Sequence, residues 1–242
     1  MAILEDLDSL GSEESGPAAA RSLLFEGQRL DQPAFQTLYE QMPEDFKAEL
    51  IDGVVSIAMN VHSGHSRSDA SMTGLLYYYS VETPGTIVQS DGTTKLGPRS
   101  QVQPDSALLI DQDFGGRTRT DPGSYTIEAP ELVVEISDTS LKLDLNAKKR
   151  VYEEAGALEY LVFDVQHLIF FWFILRDGRF ETLAPDPDGI YRSTAFPGLW
   201  LDPDAFARND GRAVMATLRR GLESPEHVGF VERLRENRAN RP

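Results

Sequence analysis

The chain has 242 residues, 40% of them hydrophobic, with 12 Phe and 8 Tyr. That length suits one large domain with tails, and that apolar content excludes a wholly disordered chain. There is no Cys, so disulfides, thiolate zinc sites and cysteine nucleophiles are ruled out; a net charge of −16 argues against non-specific coating of nucleic acid and leaves room only for a local basic patch.

The first ten residues carry Glu5, Asp6 and Asp8 where a secretory signal carries positive charge. Residues 1–28 are acidic and rich in Gly, Ser and Ala, and read as a flexible tail. Residues 29–222 read as a single domain, and 223–242 as a C-terminal segment that frays over its basic end from Arg233. The domain opens with a helix capped by Asp31, with Pro33 in its first turn and Phe35, Leu38 and Tyr39 on one face. Residues 49–57 form a hairpin about Asp52-Gly53, a strong tight-turn pair. A helix over 66–79 follows, because Met72, Leu75, Leu76 and Tyr79 recur at helical spacing before Pro84-Gly85.

Short strands are expected at 86–89, 93–96 and 106–110, then a polar, Gly-rich loop over 111–124 in the position of a mobile flap. A strand at 131–137, a helix at 143–155 stopped by Gly156, and strands at 160–164, 168–175 and 179–183 complete the pattern, with Asp177-Gly178 turning the last pair. A short helix falls near 213–222. The order predicts an α/β fold with a mixed sheet, in which the helix at 143–155 crosses between parallel strands. The most apolar run, 168–175, is far shorter than the ~20 residues that span a bilayer. A cytoplasmic protein with no membrane contact is expected. The run contains Phe170, Phe171, Trp172 and Phe173, which suit either a buried strand pair or a subunit interface.

Five side chains stand out chemically. Glu135 lies in Leu132-Val133-Val134-Glu135-Ile136-Ser137, a strand apolar on both faces, where a carboxylate is costly without a cation or hydrogen bonds. Asp105 follows Pro104 at the mouth of another apolar strand; turn chemistry alone explains it, but two carboxylates on neighbouring strands also suit Mg²⁺. Lys148 sits four residues after Asp144, the spacing of an ordinary helix-surface ion pair, yet a lysine beside an activated water would stabilise phosphate charge. His65 and Glu49 have supporting potential, as a general acid–base and an outer-sphere group respectively, and each has a structural explanation as well. Lys142, Lys149, Arg150, Arg117 and Arg119 are candidate phosphate contacts if they are not simply solvated. No phosphate-binding glycine loop, HExxH or nucleophile-elbow serine is present.

Taken in order, Ala48-Glu49-Leu50-Ile51-Asp52-Gly53-Val54-Val55, His65, Gln103-Pro104-Asp105, Pro130 through Ser137, Asp144 with Lys148 and Tyr152, and Gly156 with Glu159-Tyr160 resemble the Uma2 family of restriction endonuclease-like proteins, a branch of the PD-(D/E)xK nuclease superfamily. The resemblance covers about residues 30–206. It implies a restriction-endonuclease-like core, a mixed β-sheet flanked by helices, with an extra N-terminal hairpin and C-terminal strands. It also implies a Mg²⁺- or Mn²⁺-dependent endonuclease acting on DNA. Asp105, Glu135 and Lys148 would be catalytic, and Asp105, Glu135 and the Ile136 backbone carbonyl would be metal ligands. The superfamily's lysine stands two residues after the acidic strand residue, where this chain has Ser137; Lys148, on the next helix, matches the family's own pattern. Val54 stands where many members carry Glu, and Asn60-Val61 where a Ser-Pro stretch is frequent. Cutting both strands of a duplex most simply needs two sites, so a homodimer is expected. Two other readings stay open: an inactive binding or assembly module on a nuclease fold, and a phosphohydrolase of a small nucleotide, which tolerates the acidic charge better.

Overall fold

The computed structural model describes residues 23–58 and 62–241. Most of the expected N-terminal tail and the departures at Asn60 and Val61 lie outside these residues. The segment from Leu23 is already packed: Leu24 is buried in a small core with Phe35, Met42, Ala48, Leu50 and Val55. Helix α1 (Gln32–Tyr39) starts where the sequence places it, with the Asp31 carboxylate accepting from Ala34 N–H at 2.9 Å. Strands β1 (Ala48–Ile51) and β2 (Val54–Ile57) form the hairpin, and Asp52 and Gly53 both adopt positive φ, 49° and 77°. Two consecutive left-handed residues match the right-handed strand twist, which is why Asp-Gly occupies this turn.

Helix α2 (Ser63–Glu82) extends beyond 66–79 at both ends. It leads into β3 (Thr86–Ser90), β4 (Thr94–Lys95), β5 (Gln101–Val102) and β6 (Ser106–Ile110). The 111–124 stretch is not a flap. It contains a short 3₁₀ turn (Gln112–Phe114) and strand β7 (Arg119–Thr120), which pairs with β8 (Thr126–Ile127). Buried Glu131 ties it down by accepting from the N–H groups of Ile110 (3.0 Å) and Arg117 (3.4 Å). Those bonds offset the cost of burying the carboxylate, and no residue of 111–124 lines the cavity described below.

Strand β9 (Leu132–Ser137) is buried along its whole length. Helix α3 (141–155) follows and returns the chain to β10 (Glu159–Asp164), which pairs with β9 in parallel, as the crossover pattern requires. The chain then turns through β11 (Ile169–Arg176) and β12 (Arg179–Thr182). These strands make a central six-stranded mixed sheet, ordered β12-β11-β10-β9-β6-β3. The hairpin belongs to a second six-stranded sheet, β2-β1-β5-β4-β8-β7, so the elements expected in one sheet are divided between two.

Period-two alternation assigns the faces of the central sheet. Leu132, Val134 and Ile136 of β9, with Leu161 and Phe163 of β10, join a core covered by α2 and the C-terminal helices. Val133, Tyr160 and Val162 point the other way, onto Val151 and Tyr152 of α3. The aromatic run of β11 is consumed here: Phe170 and Trp172 enter the first core and Phe173 the second, each under 9% exposed. Beyond a small ribbon of β13 (Tyr191–Arg192) and β14 (Trp200–Leu201), the chain ends in α4 (Pro203–Ala207), α5 (Gly211–Leu222) and α6 (Pro225–Ala239). The end expected to fray from Arg233 is helical to Ala239, because Phe230 and Leu234, one turn apart, dock into the main core behind a Ser224 cap. Among the described residues no helix is long and apolar enough to cross a membrane.

Candidate active site

The sheet register delivers two of the candidate side chains to one place. Strand β6 pairs antiparallel with β9, Ser106 opposite Val134, so Asp105 comes level with Glu135 just where the ladder ends. Glu159 and Val165 donate to the carbonyls of Glu131 and Ser137, so the odd backbone positions of β9 face β10 and those of Ile136 face the β6 side. There the Ile136 N–H donates to Asp105 Oδ2 at 2.6 Å, and its carbonyl shares that orientation. The other Asp105 oxygen, Oδ1, lies 3.3 Å from His65 Nε2, near the start of α2.

Helix α3 supplies the third group through an irregularity in its backbone. Residues Asp144–Lys148 are π-helical, with Lys149 N–H donating to Asp144 carbonyl five residues back. A π segment inserts extra angular room and re-aims the side chains around it. Both Asp144 and Lys148, which in regular α-helix spacing read as a solvated pair, are buried here. Lys148 Nζ lies 2.8 Å from Glu135 Oε1 and 3.0 Å from Glu49 Oε2, bridging the central sheet to β1 of the hairpin sheet. One turn on, Tyr152 OH donates to the same Glu135 Oε1 at 3.0 Å. Glu49 is oriented by the Gln103 N–H, 2.6 Å from its Oε1, and Asp144 by Ser140 Oγ at 2.6 Å. Tyr160 OH, from β10, donates to the Asp144 carbonyl and braces the π segment.

Thus Asp105, Glu135, Lys148, Glu49, His65 and Ile136 all line one open cavity of about 680 Å³ between the two sheets. The electrostatics follow from crowding. Burial pushes the Glu135 carboxyl well above its usual range; Lys148 opposes this, while Asp144, Asp105 and Glu49 add to it. Burial alone would lower Lys148, but Glu135, Glu49 and Asp144 outweigh it and hold the ammonium well above its ordinary value. His65 is raised by its bond to Asp105 against the opposing effect of burial. The cavity therefore holds more carboxylate than buried cation can neutralise.

That donor set fits a small hard cation. Carboxylate and carbonyl oxygens are what Mg²⁺ prefers, and it is commonly held by one or two carboxylates with water completing the shell. Lys148 and Tyr152 both engage Oε1 of Glu135, leaving Oε2 for another ligand. Among the described residues there is no group of three or more His, Asp or Glu side chains at metal-holding distance.

The proposed phosphate contacts fare differently. Arg150 pairs with Asp52, Arg119 with Glu128, Arg117 donates to the Gly156 carbonyl, and Lys149 covers the Phe173 ring. Apart from Lys148, none of these cations lines the cavity. Residues that the sequence left unassigned do line it: His62 and Asp138, hydrogen-bonded at 2.7 Å across 76 positions of chain. No local motif signals a pair so far apart.

Comparison with known proteins agrees with this architecture. The model of the family Uma2, described as "Putative restriction endonuclease", matches residues 34–204. The crystal structure of a putative nuclease belonging to DUF820 from Anabaena variabilis superimposes with a TM-score of 0.52 at 14% identity, covering 75% of this chain and 97% of that one. At that identity the likeness is one of fold. No curated protein matches the chain.

Proposed function

The chain belongs to the Uma2 family, and from that premise we propose that it is a metal-dependent endonuclease hydrolysing DNA phosphodiester bonds. The observation carrying this reading is the convergence of Asp105, Glu135 and Lys148, from three separate elements, on one open cavity. Asp105, Glu135 and the Ile136 carbonyl are the residues to hold Mg²⁺ or Mn²⁺. When bound, such an ion supplies Lewis-acid activation of water and offsets charge on the phosphate.

The chain's own groups do the rest. Lys148 stays an ammonium at neutral pH, because the surrounding carboxylates raise its pKa; it therefore acts by attracting the phosphate oxygens, not as a base. Tyr152 fixes the Glu135 carboxylate in place, as the Ile136 N–H and His65 fix Asp105. Glu49 shares Lys148 with Glu135 and keeps its head at the cavity floor. Preorganised groups of this kind need no rearrangement as charge develops on the phosphate. Cleavage of both strands would bring two copies of the site together in a homodimer.

A second reading, hydrolysis of a small nucleotide, is favoured by the pairing of Arg150 with Asp52 and of Arg119 with Glu128, which takes two of the candidate duplex contacts out of play. The test is Mg²⁺ and Mn²⁺ binding by calorimetry for wild type, Asp105→Ala and Glu135→Ala, followed by plasmid cleavage with the same proteins. Loss of binding and cleavage together in both variants is expected. Binding without plasmid cleavage moves the assignment to a smaller phosphodiester, and a folded wild type that binds neither ion refutes the metal-dependent mechanism.

A further inference from the structure

We propose that His62 is a catalytic general acid of this site, protonating the departing sugar oxygen, and that Asp138 is the positioning residue that orients it. The inference rests on the phosphodiesterase reading above.

His62 precedes α2 at its N-cap position, yet its side chain makes no capping bond, so the imidazole is not spent on the helix. Instead Nδ1 lies 2.7 Å from Asp138 Oδ2. Asp138 is itself held: Gln166 Nε2 donates to its carbonyl at 2.7 Å and to Oδ1 at 3.2 Å. With Asp138 accepting from Nδ1–H, the opposite ring nitrogen, Nε2, is directed away from it, and both residues line the cavity shared by Asp105, Glu135 and Lys148. The start of the helix is seated by Gly64, where a Cβ would stand 3.2 Å from Val165 Cγ1, so the ring is carried on a packed support.

An imidazole fixed at one nitrogen by a carboxylate and presenting the other to a reactive site is the arrangement that donates and recovers protons in hydrolases. Lys148 is enclosed between carboxylates, Lys47 faces Asp91 at 3.7 Å, and His65 holds Asp105 through Nε2 while its Nδ1 is buried without a partner, away from the solvent that must reprotonate an acid. In the step proposed, water attacks phosphorus, giving up one proton to solvent as the new P–O bond forms, and the bond from phosphorus to the sugar oxygen breaks. Its electron pair goes to that oxygen, which takes the proton from His62 Nε2. The ring is then reprotonated by solvent, to which His62 is open, its side chain being 68% exposed. The other charged or titratable groups lining the cavity are Glu26, Lys47, Glu49, His65, Asp91, Asp105, Glu135, Asp144 and Lys148.

The experiment compares wild type, His62→Gln and Asp138→Asn on plasmid DNA and on bis(4-nitrophenyl) phosphate, with Mg²⁺ or Mn²⁺, across the pH range. Nitrophenolate leaves without protonation, so only the DNA reaction needs the acid. His62→Gln should slow DNA cleavage by roughly 10²-fold or more and the nitrophenyl diester by less than about threefold. The alkaline fall-off of the wild-type rate should vanish in His62→Gln and move in Asp138→Asn. A purely structural His62 would slow both substrates alike and leave the profile in place; that result overturns the role of His62 and spares the nuclease reading. If wild type cuts DNA but not the small diester, the pH profile decides alone. A wild type that cuts neither overturns the nuclease reading and this role with it. Unchanged melting temperatures in both variants guard against misfolding.

Discussion

Replacing Lys148 with Met keeps much of the side-chain bulk and removes the cation that Glu135 and Glu49 share. Lys148 is 5% exposed and within 3.0 Å of both carboxylates, so its loss leaves buried negative charge without a partner. Breaking a buried pair from one side costs about 3–5 kcal/mol, because the remaining ion keeps its desolvation penalty. Glu135 can escape part of that cost by taking up a proton. Its pKa is already above the usual range, and Lys148 is the neighbour that holds it down, so the variant raises it further. A carboxyl whose folded-state pKa exceeds its unfolded value contributes stability at low pH and loses it as pH rises through the folded value. The penalty for Lys148→Met should therefore be small in acid and grow as pH rises. Metal-free urea unfolding, followed by the fluorescence of Trp172 and Trp200, measures it. Adding Glu135→Gln removes the stranded charge, so the double variant should be more stable than Lys148→Met alone at the alkaline end, by about 1–3 kcal/mol. A penalty below about 1 kcal/mol, flat with pH and unaffected by the second change, would refute the claim that this pair is desolvated.

Three further outcomes follow from parts of the fold outside the site. Glu159, with no exposed surface, accepts from Trp172 Nε1, Ser193 Oγ, Thr194 N–H and Oγ1, and Ala195 N–H, so Glu159→Ala strands several buried donors and should lower stability by more than about 3 kcal/mol in the same unfolding assay. At Gly221 in α5, an added Cβ would stand 2.2 Å from the Gly198 carbonyl oxygen, so Gly221→Ala should cost about 1–3 kcal/mol and lower the melting temperature by several degrees, whereas alanine at an unobstructed helix position would raise it. His227 is buried between Leu222 carbonyl and Thr83 Oγ1, and burial lowers its pKa. Its neutral form is favoured in the folded state, so its contribution is present above the unfolded pKa and disappears as pH falls; His227→Gln should flatten the acid limb of a stability–pH curve.

Much of the fold follows from local pattern. The Asp52-Gly53 and Asp177-Gly178 turns, the Asp31 cap, the parallel crossover between β9 and β10 and the two-faced burial of β9 are all consequences of short-range chemistry, and each is where sequence places it. The candidate residues were visible for the same reason: a carboxylate in an apolar strand and another at a strand mouth are conspicuous because burial of charge is costly. What sequence alone could not decide depends on contacts between distant parts of the chain. The 111–124 stretch reads as loose because it is polar and rich in glycine, but Arg117 N–H finds buried Glu131 and Arg119–Thr120 pair with a neighbouring strand. The end after Arg233 reads as frayed because it is charged, but Phe230 and Leu234 find a core to enter.

The site divides along the same line. Sequence identifies Asp105, Glu135 and Lys148 as chemically plausible, but regular helix geometry pairs Lys148 with Asp144 on a solvated face. Only the π-helical segment, braced by Tyr160, turns it inward to Glu135 and Glu49. His62 and Asp138 carry no signal at all until folding brings them together. Turn, cap and strand patterns are energies of neighbouring residues and can be read from neighbours; register, helix phase and the meeting of remote side chains are energies of the assembled core, and only the tertiary structure sets them.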